Sequence, residues 1–309
     1  MEQLREIRRR IASIDEVRQI TKAMYTIALS RTFRLKEQLR SSRTYLTEAT
    51  RVFRAVLAGV ELKGGGGDGD GGEAHPLIQG PSTPAPAGGP RGVFVVNSDR
   101  GLCGRFPEEL NRRAEELLRE GAERIICGGE RARRYFSPRA DRRFKIIKEY
   151  IHFYDRPTFA QGKEIARDLM ALFQAGELGA VDAVYMRFHS DLRQEVVVER
   201  LLPFPSQLGE PEEGAESEPG PRPLRLYEPS AWAVLEGFAL QYLAARVYNI
   251  LVESKTSEQA IRRQAMKNAT DNADELIEEL TLQFNKARQQ AITKEIADII
   301  GGAEALRRG

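Results

Sequence analysis

Three histidines, His75, His152 and His189, and two cysteines, Cys103 and Cys127, are where metal or nucleophilic chemistry would begin. The histidines are far apart in sequence, and none stands in a ligand-type spacing. The cysteines build neither a zinc set nor a disulfide framework, which fits a reducing compartment. A phosphate loop needs Gly-Lys followed by Ser or Thr, but Gly162-Lys163 is followed by Glu164. Gly64, Gly66 and Gly69 formally match G-x-G-x-x-G. They follow a helical stretch, sit in low-complexity sequence and open no helix, so they lack the strand–turn–helix setting that cradles a pyrophosphate. Asp68 and Asp70 resemble the start of a calcium loop, but its twelfth position is Gln79, so the bidentate carboxylate is missing. No nucleophile–base pair with a local motif appears. The expectation is a chain with no catalytic residue, no metal and no cofactor. A stand-alone enzyme whose active residues meet only in three dimensions stays open as an alternative.

The surrounding elements are more informative. The 309 residues carry 47 Lys/Arg against 45 Asp/Glu, a formal net charge of +2. That balance argues against a general nucleic-acid binder. The first 60 residues are more basic, with 13 Lys/Arg and 6 Asp/Glu. The Arg-rich N-terminus has no apolar run, so no secretory signal is expected. Nowhere do 18 apolar residues follow one another, so membrane association is expected only through partners.

All 15 prolines fall between Pro76 and Pro229. Up to Leu62 the only glycine is Gly59, and from Ser230 to Ile300 it is Gly237. Proline costs a helix about 3 kcal/mol and glycine about 1, so two terminal segments that avoid both can be continuous helices. At 1.5 Å per residue they would reach roughly 90 and 105 Å, too long to stand unpartnered. Steps of three and four from Leu4 trace a seam through Ile7, Ile11, Ile14, Arg18, Thr21, Tyr25, Ala28, Thr32, Leu35, Leu39, Ser42, Leu46, Ala49, Phe53, Val56 and Val60. The last segment offers Leu243, Val247 and Ile250, then Ala269, Ala273, Leu276, Leu280, Phe284, Ala287 and Ala291. A domain separates the two helices, so an antiparallel coiled coil is the simplest closure. Periodicity alone leaves a generic coiled-coil spacer equally open.

The middle alternates short apolar runs with helical stretches. Strands are expected at 92–97, 124–127, 144–151, 181–188 and 194–202. Helices are expected at 107–119, 130–136 and 159–173. The expected fold is α/β: a long antiparallel coiled coil of the terminal helices plus a central Rossmann-like α/β domain. Its parts are an N-terminal helix over 1–62, a Gly/Pro-rich linker insert over 63–90 and the central domain over 91–208. An acidic, Pro-rich loop and foot segment follow over 209–229, then a C-terminal helix over 230–309.

Three stretches resemble the gamma-subunit family of F-type ATP synthases. IRRRIASIDEVRQITKAM (Ile7–Met24) is similar to the family's first helix, and SDRGLCG (Ser98–Gly104) to its central-domain loop. Ser257–Leu306, from SEQAIRRQAMKNATDNADELIEELT onward, is similar to its C-terminal helix over about 50 residues, by far the most specific of the three. After Met24 the chain departs from the family's Val-Ala-x-x-Lys pattern: it reads YTIALSRTFRLKE, with Arg31 where Lys is expected. No cysteine pair like the chloroplast form's regulatory dithiol is present.

The resemblance implies a non-catalytic rotor. It would turn inside the ring of alpha and beta subunits, be clasped by epsilon and rest on the membrane c-subunit ring, at the cytoplasmic face of a bacterial plasma membrane. It also implies residue roles. Lys22, Met24 and Arg262 would meet the acidic lever loop of beta, with Cys103 close to the same region. Arg288 and Gln289, with Thr293 nearby, would engage a beta loop higher in the cavity. The tip at 296–306 would slide in an apolar sleeve. Tyr227 and Glu228 would touch the polar loops of the c subunits. A coiled-coil scaffold without a rotary role is the competing reading of the same helices.

Overall fold

The computed structural model describes residues 2–64, 77–79, 89–140, 143–153, 155–205, 227–228 and 230–307. Most of the 63–90 insert and of the 209–229 segment therefore lies outside the described residues. The chain divides into two units, Arg31–Ile261 and the pair Met1–Ser30 with Arg262–Gly309. Helix α1 spans Glu2–Gly64, and α5 spans Ala231–Arg307.

In the larger unit five strands form one sheet. These are β2 (Arg91–Val96), β3 (Arg124–Gly128), β4 (Lys145–Tyr150), β5 (Ala180–Phe188) and β6 (Gln194–Leu202). Their order is β4-β3-β2-β5-β6. The first four are parallel and β6 runs antiparallel to β5. Three helices connect the parallel strands: α2 (Phe106–Arg119), α3 (Glu130–Phe136) and α4 (Phe159–Gln174). Strand side chains alternate between faces, so one strand can feed two cores. Phe94, Val96, Ala183 and Tyr185 pack with Ile165 and Leu169 of α4 and with apolar residues of α1 and α5. Val93, Val95, Val184 and Met186 pack with Leu110 and Leu117 of α2 and Phe136 of α3. Both faces are covered, which is why the central strands read as unbroken apolar runs. A further two-residue strand, β1 (Ile78–Gln79), pairs parallel with β7 (Phe204–Pro205).

The two terminal helices run antiparallel. In the smaller unit Thr270 Oγ1 donates to Thr21 Oγ1 at 2.9 Å, and Arg18 meets Asp274 at 2.9 Å. In the larger unit Ser42 Oγ donates to Asn249 Oδ1 at 3.0 Å, and Phe53 stacks on Tyr242 with ring centroids 4.3 Å apart. The seam read from sequence is the buried stripe of α1. Thr21, Ala28, Thr32, Leu35, Leu39, Ser42, Ala49, Phe53 and Val56 are all buried and all lie on it. On α5, Leu243, Val247, Ile250 and Ala273 are buried, while Leu276 is half exposed. From Tyr242 to Ala260 almost every residue of α5 is enclosed, polar ones included.

Both helices hold many hydroxyl side chains bonded to their own backbone. Thr26, Ser41, Thr44, Thr47 and Thr50 of α1 donate to the carbonyl four residues back, at 2.7–3.3 Å. Thr281 and Thr293 do the same on exposed parts of α5. This local bond satisfies the hydroxyl without an outside partner.

Candidate functional site

The residues singled out by sequence fall into separate places. Lys22 is exposed on α1, next to the buried seam residue Thr21, and Met24 is half-buried. Arg262 is largely buried on α5. The pairing of Thr21 with Thr270 is antiparallel, so Arg262 sits roughly two turns along α5 from the level of Lys22. Arg288, Gln289 and Thr293 are exposed, roughly five turns beyond Thr270 in the other direction. They form a second group, level with the start of α1. Thr293 gives its proton to the Gln289 carbonyl at 2.9 Å, so its hydroxyl can only accept from a neighbour. Tyr227 donates its hydroxyl to the Ala55 carbonyl of α1 at 2.7 Å, while Glu228 is exposed.

The Ser98–Gly104 loop leaves the carboxyl end of β2 and leads into α2. Its polar residues hold the turn together. Asn97 Oδ1 accepts from the Ser98 amide at 2.7 Å, and Asn97 Nδ2 donates to Asn111 Oδ1 at 2.8 Å. Asp99 Oδ1 accepts from the amides of Glu130 and His152, both at 3.0 Å, tying the starts of two neighbouring elements to the loop. At Gly129, φ is +92° and a Cβ would stand 2.5 Å from the Asn97 carbonyl oxygen, so glycine is what lets the loop and the start of α3 meet. Cys103 is buried, its sulfur 3.6 Å from Ser98 Oγ and from the Arg100 carbonyl oxygen. Leu102 is the part of the loop that faces outward, at 62% exposure with φ 59°. Beside it lies an open crevice of about 440 Å³ lined by Cys103, Asn111, Arg131, Arg134, Tyr135 and Arg139 among others.

Burial pushes the Cys127 thiol up to about 12, which leaves it uncharged and unreactive at neutral pH. Among the described residues no group of three His, Cys, Asp or Glu could hold a metal, and no helix is long and apolar enough to cross a membrane. The charges near the loop are structural. Hydrogen bonds from Arg133 and Arg134 hold the Glu130 carboxyl down to about 2. Their contribution is complete above the carboxyl's ordinary value of 4.5 and fades as pH falls toward 2. Glu130→Gln is expected to cost about 1 kcal/mol or less at pH 7, since both arginines reach solvent. Urea titration should show that gap narrowing below pH 4.5.

Sequence reading missed one polar set. Glu253, Ser254 and Ser257 of α5 are buried against the carboxyl ends of β2 and β5. The available signal was a run of polar residues, SKTSEQ, within a helix, after a largely apolar stretch.

A sequence model of the family described as ATP synthase matches residues 3–306. The ATP synthase gamma chain of Heliobacterium modesticaldum is 37% identical over 305 residues, covering 98% of this chain and 99% of that one. The gamma chain of Mycobacterium tuberculosis is 38% identical over 321 residues, covering 98% and 97%. Among solved structures, a chain of the Euglena gracilis mitochondrial ATP synthase OSCP/F1/c-ring assembly superposes with a TM-score of 0.64 at 16% identity, covering 100% of this chain and 96% of that one. A chain of the Tetrahymena thermophila mitochondrial ATP synthase central stalk and c-ring gives 0.58 at 22%, covering 81% and 99%. At such identities the two structures speak for the fold.

Proposed function

This chain belongs to the ATP synthase gamma-chain family, and on that premise we propose how it serves as the non-catalytic rotor of the central stalk. The observation that carries the reading is likeness to gamma chains from end to end, in a chain whose terminal helices pair antiparallel around an α/β domain. Long helices poor in proline and glycine are stiff, and stiffness is what a shaft turned from one end requires.

The coiled coil sits inside a ring of alpha and beta subunits. Lys22, Met24 and Arg262 bear on an acidic loop of beta, and the Ser98–Gly104 loop with Cys103 lies near the same region. Leu102 and Arg100, which face outward, are the surface that loop offers. Arg288, Gln289 and Thr293 form the upper contact. The lysine and arginine contacts are charge-assisted hydrogen bonds, made and broken in every turn, and Met24 adds an apolar contact. Tyr227, anchored to α1, holds Glu228 toward the polar loops of the c-subunit ring, and epsilon clasps the foot. Through these partners the chain lies at the cytoplasmic face of the membrane.

Reconstitution with alpha and beta subunits tests the reading. A bead fixed to the sheet domain should rotate in one direction during ATP hydrolysis, and the chain alone should hydrolyse nothing. A complex that hydrolyses ATP with a still bead would sink it. For the contacts, Arg288→Ala is expected to lower rotation-coupled turnover by about fivefold or less, the range of one exposed charge pair. Turnover equal to wild type at all loads would remove Arg288 from the contact set.

A further inference from the structure

In doubly wound α/β sheets a ligand binds outside the carboxyl ends of the strands, at the point where strand order reverses. Here that point lies between β2 and β5. It is not open: a turn and a half of α5 fills it. Ser254 Oγ donates to the carbonyl of Val96, the last residue of β2, at 2.9 Å. The same oxygen accepts from the Met186 amide of β5 at 3.5 Å. Ser257 Oγ donates to the Met186 carbonyl at 3.2 Å. Glu253 Oε2 accepts from the Phe188 amide at 2.8 Å, while its other oxygen accepts from Arg43 Nε at 2.8 Å. Arg43 Nη2 closes the set by donating to the Phe188 carbonyl at 2.6 Å. Every residue from Glu253 to Gln259 is 3% exposed or less.

Two serines and a glutamate are costly to bury, and they are tolerated because each finds its partner. An apolar helix face would have filled the same space without specifying angle, since apolar contact is non-directional. Hydrogen bonds fix direction as well as distance. We propose that the ligand crevice of this fold has become a socket for α5. Glu253, Ser254 and Ser257, with Arg43 of α1, are positioning residues that stop the sheet domain from turning about the helix pair. They are the joint through which torque passes between the domain and the coiled coil. The proposal rests on the rotary reading and names the residues that make it mechanically effective.

The test uses the complex with alpha and beta, the head immobilised and a bead on a cysteine introduced by Leu192→Cys. Leu192 is 87% exposed in the β5–β6 turn, and both native cysteines are buried, so labelling is selective. The readout is the angular spread of the bead while the rotor is stalled. Ser254→Ala with Ser257→Ala is expected to at least halve the torsional stiffness, with ATP hydrolysis within twofold of wild type. Glu253→Gln keeps shape and the Phe188 bond but removes the charge facing Arg43, and should lower stiffness by a smaller, measurable amount. If the serine pair fails to assemble, the glutamine variant decides alone. Stiffness equal to wild type in a rotating complex overturns the joint. A wild-type complex that hydrolyses ATP without turning the bead overturns the rotary reading instead, so the two failures are distinguishable.

Discussion

Glu199→Ala is expected to destabilise the sheet domain by about 3–5 kcal/mol, the cost of leaving a buried ion without its partner. The Arg246 side chain of α5 is 8% exposed and its guanidinium meets Glu199 of β6 at 2.5 Å. The same carboxylate accepts from the Tyr185 hydroxyl at 2.7 Å and lies 3.4 Å from Arg187. Burial alone would raise the Glu199 carboxyl above its ordinary value, but Arg246, Tyr185 and Arg187 together hold it below. Burial also opposes the Arg246 charge, which Glu199 more than restores. The alanine variant removes the carboxylate and leaves the guanidinium enclosed. A domain with a stability of about 5–15 kcal/mol would lose a large share of it. Urea denaturation of the isolated chain, followed by circular dichroism, measures the loss. Glu199→Gln retains shape and hydrogen-bonding atoms and should cost less. Equal effects from both would show that the charge carries the whole of the loss, and no effect from Glu199→Gln would show that it contributes little.

Phe53→Ala should cost a similar amount, about 3–5 kcal/mol, for a different reason. Phe53 is fully enclosed, stacked on Tyr242 and edge-on to Phe204 at 5.0 Å. Removing the ring opens a cavity where α1, α5 and β7 meet. The loss should be local, because the rest of that core keeps its contacts. Hydrogen exchange would then show protection falling first around residues 46–57 and 238–245. A uniform loss across the sheet would mean the ring supports the whole domain.

Most of this architecture was legible in the sequence because its periods are plain. The strand over Gln194–Leu202 and the helix over Glu130–Phe136 match the expected bounds, and the other central elements differ by a residue or two at their ends. Central parallel strands covered on both faces leave continuous apolar runs, and a helix paired on one side leaves a stripe every three to four residues. Two features escaped that logic. Pairing of Ile78–Gln79 with Phe204–Pro205 involves two residues on each side, too few to show a period. The enclosed stretch Glu253–Gln259 is polar, and hydropathy assigns such residues to solvent; Glu253, Ser254 and Ser257 are held by strand ends, while Lys255 pairs with Glu258 and Asp155 and Thr256 bonds its own helix. For the residues proposed as contacts, the type of side chain was readable but the partner was not. An exposed lysine such as Lys22 has the same spacing and charge whether it meets water or an acidic loop. Cys103 was set near beta only by the family resemblance; the fold turns its sulfur inward and Leu102 outward.

The hydroxyls along the helices have a consequence for contact. A threonine whose proton is already given to the carbonyl one turn back presents mainly a methyl group and lone pairs to its surroundings. A surface facing such a threonine would find an acceptor there and no hydroxyl proton on offer. Donation to a neighbouring surface is thereby left to the lysine and arginine side chains, which both helices carry in number.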